Sequence, residues 1–259
     1  MTIPALVPSR LRQETFLEHI EIHPRLASTN DHALALAADP SIRCPALVAA
    51  EHQTAGRGRG GHRWQAGPGA LTFSLLLDHL DRLPRERLPL VSLVTGMATR
   101  EAIARTVSDS PVHVKWPNDV YLKGKKVAGI LTETASAASG RLVVGIGINV
   151  NNSLADAPPV VQQRGIALAD ETGSCVDPTD LLIALLIELE LEFARLADNP
   201  ELDTIRWRSH CLLTDRKVTV RVGPLIHRGS CRGIASDGGL QIEQQDRIQT
   251  LHAGEVISW

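Results

Sequence analysis

Hydrophobic periodicity changes character once along this chain, and that change restricts the fold more than any other feature. Up to about residue 213 strand and helix patterns are interleaved, whereas from Lys217 onward only strand signals remain. In the first part, residues 46–50 are uniformly apolar and Leu71, Phe73, Leu75 and Leu77 recur at period two. Residues 142–148 are almost continuously apolar, the texture of a strand buried on both faces. Leu90, Leu93, Val94 and Met97 follow helical spacing, and Pro178 opens a long helix with a stripe of Leu182, Leu185, Leu186, Leu189, Phe193 and Leu196. In the second part Val218, Val220 and Val222 alternate, Gly223-Pro224 turns the chain, and Asp237-Gly238 separates two further strand candidates. The reading is an α+β chain: a mixed β-sheet backed by helices over residues 1–213, then a small all-β domain over residues 214–259.

Residues 1–14 carry two prolines and no sustained period and read as a tail or lead-in; a short strand follows at 16–22 and a helix at 28–38. Residues 120–122 and 127–132, separated by Lys123-Gly124-Lys125, read as a hairpin. The 259 residues, 43% hydrophobic, suffice for one substantial core plus an appendage. With 27 basic against 29 acidic side chains the net charge is −2, so no overall field favours a polyanion, and DNA is not an expected partner. Cys44, Cys175, Cys211 and Cys231 have no metal-ligand spacing and read as reduced thiols. No apolar run approaches the roughly 20 residues that span a bilayer, and no signal segment precedes the first strand, so a membrane is not expected and the cytoplasm is.

The stretch from Gln53 to Gly61 interleaves Gly56, Gly58, Gly60 and Gly61 with Arg57 and Arg59. Glycines let backbone N–H groups approach an anion, and each guanidinium adds a planar fork of donors suited to phosphate or carboxylate. The loop lacks the Gly-Lys-Ser/Thr ending of a phosphate-binding P-loop and the following helix of a dinucleotide fingerprint. Trp64, just beyond it, can stack on a base or belong to the core. Lys115-Trp116-Pro117-Asn118-Asp119 presents an amide and a carboxylate after a strand, and Asp119 could hold magnesium or cap a turn. Lys126, leading into Val127-Ala128-Gly129-Ile130, is a point charge able to reach into a pocket. Ser28, Thr29 and Asn30 could hydrogen-bond a polar ligand, yet Ser28 with Asp31 also fits a helix N-cap, and from the residues alone the cap is the preferred reading. Gly145-Ile146-Gly147-Ile148-Asn149 ends an apolar strand in a polar amide, with glycines that admit a close neighbour.

Taken in this order and spacing, Ser28-Thr29-Asn30, Gln53 to Gly61 with Trp64, Lys115 to Asp119, Lys126 to Ile130 and Gly145 to Asn149 resemble the biotin protein ligases. The resemblance implies a class II synthetase-like biotin/lipoate ligase fold followed by an SH3-like β-barrel. It implies biotin and ATP as substrates with Mg2+, a biotinyl-5'-AMP intermediate, and a biotin carboxyl carrier domain of acetyl-CoA carboxylase or a related carboxylase as protein partner; it leaves a homodimer open. By the same resemblance, Ser28, Thr29, Asn30, Gln53, Gly56, Arg57, Gly58, Arg59, Lys126 and Gly129 contact biotin. Arg57, Arg59, Trp64, Asn118, Asp119, Lys126 and Asn149 contact ATP, Asp119 is the candidate metal ligand, and Lys126 and Arg59 carry catalysis. His62 stands where the family often has arginine. The winged helix that precedes longer members has no counterpart in the sequence, so operator binding is not expected.

Overall fold

The computed structural model describes residues 4–65, 67–78, 87–135 and 140–259. Seven strands build one sheet: β1 (His19–His23), β2 (Ala46–Ala50), β3 (Leu71–Leu77), β4 (Val112–Lys115), β5 (Asp119–Leu122), β6 (Lys125–Thr134) and β7 (Leu142–Ile148). Their order is β1-β2-β3-β7-β6-β5-β4, with β1 and β2 parallel and every other pair antiparallel, so the sheet is mixed. β2, β3 and β7 are buried along their whole length because helices cover one face, while a helix and the segment carrying Trp64 cover the other. One face, carrying Leu47, Phe73, Leu75, Val144, Ile146 and Ile148, meets α3 (Leu88–Val107) and α6 (Pro178–Asp198) in the main core. The other face, carrying Val48, Leu76 and Val143, meets Ala33 and Ala37 at α2 (Thr29–Leu36) in a smaller core. Beyond α2 that second face is lined by glycines and polar groups, and it holds the cavity described below.

Five further strands, β8 (Lys217–Val222), β9 (Leu225–Ile234), β10 (Leu240–Gln244), β11 (Arg247–Leu251) and β12 (Glu255–Ser258), form an antiparallel sheet in the order β11-β10-β9-β8-β12, as expected for an SH3-like module. Its apolar side chains Val218, Val220, Leu240 and Ile242 are continuous with the main core. Trp116 is the central rivet: its indole is buried, and Nε1 donates to Gly238 O at 3.1 Å. Asp203 caps α7 (Thr204–His210), which leads into the module.

Several expectations shift in detail. The lead-in contains a helix, α1 (Pro8–Glu14), whose Leu11 is fully buried; the Val7 N–H donates to Thr179 Oγ1, and Arg10 pairs with Asp180 at 2.7 Å. A helix of seven residues is too short for a readable period, and docking against α6 stabilises it instead. The first strand is His19–His23 rather than 16–22, and the helix expected over 28–38 runs Thr29–Leu36. The 120–132 hairpin forms with Lys123 and Gly124 both at positive φ, as a tight two-residue turn requires. Two short helices, α4 (Pro159–Arg164) and α5 (Leu168–Thr172), follow β7.

Candidate active site

A cavity of about 800 Å3 lies over the second face of the large sheet. Strand alternation decides what its floor contains. Gly145, Gly147 and Asn149 line one face of β7 and its end; Ser74 and Leu131 are register partners of Gly145, and Thr72 and Gly129 are those of Gly147. Asp119 pairs with Gly129 and continues that row onto β5.

At one end stands a network of neutral polar groups. The Ser28 hydroxyl caps α2 by accepting the Asp31 N–H at 3.4 Å, so the capping alternative is realised. Gln53 Oε1 accepts the Thr29 N–H at 2.8 Å. Ser74, fully buried on β3, donates to Asn30 Oδ1 at 2.6 Å and lies 2.8 Å from Thr29 Oγ1. Asn30 Nδ2 donates to Glu133 Oε2 at 2.8 Å and to Leu131 O at 3.2 Å. Gly145 is what makes room for this side chain, since a Cβ there would stand 1.9 Å from Asn30 Oδ1.

The middle of the floor is covered by the Trp64 indole. A Cβ on Gly147 would stand 2.4 Å from its ring, and one on Gly129 would stand 3.5 Å away, so this glycine pair forms a seat for a flat aromatic. Trp64 Nε1 is buried without an acceptor among the described residues.

The far end is cationic. Lys126 Nζ pairs with Asp119 Oδ1 at 2.5 Å and lies 5.9 Å from the Trp64 ring centroid. A β-bulge creates this placement: Val120 pairs with Ala128 but Tyr121 with Lys126, so Val127 is extra. Without that insertion strict alternation would turn Lys126 to the opposite face from Gly129. Lys115 is buried between Trp259, 4.4 Å from its ring centroid, and Tyr121, 5.8 Å away, and meets no carboxylate within ion-pair distance among the described residues. Burial lowers its pKa; the negative charge of Asp119 works against that shift and the positive charge of Lys126 adds to it. Asn118 Nδ2 donates to Ile130 O at 2.7 Å, and Asn149 Oδ1 accepts from Asn152 Nδ2 at 3.2 Å.

The Gly/Arg loop forms the rim. Arg57 grips both Glu133 oxygens, at 2.8 and 2.6 Å, and Asp31 at 2.7 Å. Its hydrogen bonds with Glu133 raise its pKa further, so it remains charged. Arg59 reaches the C-terminal module, donating to Gly254 O at 2.7 Å, and His62 lies 3.7 Å from Glu255. The loop therefore bridges α2, β6 and the second sheet across the cavity mouth.

A family model described as the Biotin/lipoate A/B protein ligase family matches residues 23–151, which contain every floor and rim residue above except those of the C-terminal module. Among curated relatives, the biotin--[acetyl-CoA-carboxylase] ligase of Mycobacterium tuberculosis is 31% identical over 92% of this chain and 88% of its own length. The bifunctional ligase/repressor BirA of Escherichia coli is 31% identical over 92% of this chain and 73% of its own. A solved biotin protein ligase from Aquifex aeolicus, in complex with biotin and ATP, superposes with a TM-score of 0.80 at 28% identity, covering 93% of this chain and 98% of the other. The chain belongs to the biotin protein ligases.

In this ligase Ser28, Thr29, Asn30, Gln53, Arg57, Gly58, Arg59, Trp64, Asn118, Asp119, Lys126, Gly129 and Asn149 all line the cavity described above. Gly56 does not line it; the Trp64 N–H donates to Gly56 O at 3.0 Å, and a Cβ on Gly56 would stand 2.7 Å from Trp64 O, so this glycine closes the base of the loop. Sequence reasoning missed Ser74, Glu133 and Lys115. Ser74 was hidden in an apolar strand, and Glu133 follows the Lys126 to Ile130 motif by three residues on the same strand, where nothing in the sequence marks it as a partner of Asn30 and Arg57. Lys115 sat within a quoted motif, where its burial was the missing signal. Among the described residues no helix of this ligase is long and apolar enough to cross a membrane.

Proposed function

We propose that this ligase joins biotin to a lysine of a biotin carboxyl carrier domain, through biotinyl-5'-AMP, at the expense of ATP. The observation that carries the reading is one cavity with a neutral amide network at one end, a cation pair at the other, and a two-arginine loop over its mouth. A ureido ring needs fixed neutral donors and acceptors, which Ser28, Thr29, Asn30 and Gln53 supply. Ser74 and Glu133 hold Asn30 in a single orientation, so the network is set before a ligand arrives. Trp64 offers the aromatic face for adenine.

In the first half-reaction a biotin carboxylate oxygen attacks the α-phosphorus of ATP, the bond to the β-phosphate oxygen breaks, and pyrophosphate leaves. Both partners are anions, so positive charge must be concentrated where they meet. Lys126 is the direct candidate, paired with Asp119 and placed beside Trp64. Lys115 adds a second, poorly solvated charge. Arg57 is already engaged by Glu133 and Asp31, and in this reading it anchors the loop while the loop backbone, Gly58 and Arg59 face the ligand. Asp119 and the amide oxygens of Asn118 and Asn149 are hard oxygen donors that fit magnesium, which takes one or two carboxylates plus phosphate oxygens. When bound there the ion would offset charge on the departing pyrophosphate.

In the second half-reaction a neutral carrier lysine amine attacks the activated carbonyl, AMP leaves, and the amine proton is released. Asp119 is a candidate to receive it. The closed loop keeps water from the mixed anhydride between the two steps. Incubation with ATP, magnesium, biotin and a purified carrier domain tests the reading: mass spectrometry should find one biotinyl group on one lysine. A carrier left unmodified, or modified only when lipoate replaces biotin, would overturn it.

A further inference from the structure

Away from the cavity, on the outermost strand of the large sheet, histidines gather round one carboxylate. β1 is an edge strand, and its alternation brings His19, Glu21 and His23 to one face. α2 adds His32 from above. Glu21 Oε2 lies 2.7 Å from His32 Nε2 and 3.0 Å from His23 Nε2, and Glu21 Oε1 lies 3.0 Å from His19 Nε2. The ligand atoms of Glu21, His23 and His32 all fall within 4.8 Å of one another, the one such convergence of three among the described residues. The His23 and His32 rings meet edge to face with centroids 4.8 Å apart.

We propose that Glu21, His23 and His32 form a binding site for a divalent transition-metal ion, with zinc as the expected occupant. Three points of chemistry support it. Imidazole nitrogen and carboxylate oxygen are zinc's nitrogen and oxygen ligands, and three protein ligands plus water complete four-coordination. Bonds of about 2.0–2.1 Å to a tetrahedral ion separate ligand atoms by roughly 3.3 Å, so side-chain rotations from the present spacing suffice. His19 engages the other oxygen of Glu21, the outer contact that orients a ligating carboxylate. The side chains remain between 24 and 33% exposed, which leaves an ion free to enter.

The site would act on the fold, since it ties the edge strand to the first turns of α2, and His32 follows Asn30 by two residues. It takes no part in the proposed ligation, so its failure and the failure of that reading are separable. The test uses the untagged full chain, stripped with a chelator and titrated with ZnCl2 by calorimetry. One equivalent should bind with micromolar or tighter affinity, and CoCl2 should give the visible absorption of a four-coordinate site. Glu21→Gln and His32→Ala should each weaken zinc binding at least tenfold, while His227→Ala, on the C-terminal sheet, leaves it unchanged. Should a variant melt early, the cobalt spectrum of the parent decides. No uptake at micromolar zinc, a six-coordinate cobalt spectrum, or equal affinity in all variants would overturn the proposal.

Discussion

Replacing Gly145 by alanine adds one methyl group at the point where the neutral network is tightest. The new Cβ would stand 1.9 Å from Asn30 Oδ1, and Cβ atoms essentially never come within 3.0 Å of another atom, so about 1.1 Å of retreat is needed. The obstacle is not the end of a flexible chain: Asn30 is 4% exposed and hydrogen-bonded to Ser74 at 2.6 Å and Glu133 at 2.8 Å. Retreat breaks the first bond and distorts the second. A neutral hydrogen bond contributes about 0.5–1.5 kcal/mol and one to a charged group about 1.5–3 kcal/mol, so the cost is about 2–4 kcal/mol. If half of that falls on the ligand site, biotin affinity drops by about five- to thirtyfold, at 1.4 kcal/mol per decade. Calorimetric titration with biotin and a thermal melt measure both effects, with Gly67→Ala, whose Cβ would meet nothing within 4 Å, as control. A Gly145→Ala protein that binds biotin and melts like the parent would refute the placement of Asn30.

Other changes separate the parts of the site. Lys126→Ala should lower pyrophosphate exchange by about 100-fold or more, the scale of removing one preorganised charge stabiliser, with a melting temperature near the parent's; unchanged exchange would remove Lys126 from the mechanism. Arg59→Gly loses the bond to Gly254 O, so it should retain partial adenylation yet release biotinyl-AMP faster, read as biotinylation of bystander lysines. Gly147→Ala puts a Cβ 2.4 Å from Trp64 and should weaken ATP binding more than biotin binding, measured by separate titrations. The carboxyl of Glu21 is depressed from 4.5 to about 2 in the fold. Its contribution is therefore fully present above pH 4.5 and is lost as pH falls toward 2. Urea unfolding of Glu21→Gln against the parent should show a difference that shrinks across that window.

The two-part layout was legible because period two and period 3.6 leave distinct marks over long elements such as β7 and α6. The cavity residues were legible where glycine, arginine and asparagine cluster against an apolar background. What was not legible depends on contacts between distant segments. Lys126 faces the cavity only because Val127 is bulged, a one-residue event with no compositional mark. Arg57 and Arg59 look alike in sequence, yet one is held by Glu133, 76 residues away, and the other by Gly254, 195 residues away. α1 gained its helix from α6, and Leu11 alone carried too little periodicity to announce it.

Biotin-dependent exchange of labelled pyrophosphate into ATP probes the central claim most directly, because it reports reversible attack of the carboxylate on the α-phosphorus and needs no carrier. With the purified chain and magnesium, exchange should require biotin and fall away when lipoate or octanoate is supplied instead. Exchange that lipoate sustains and biotin does not, or none with either acid, would contradict the account.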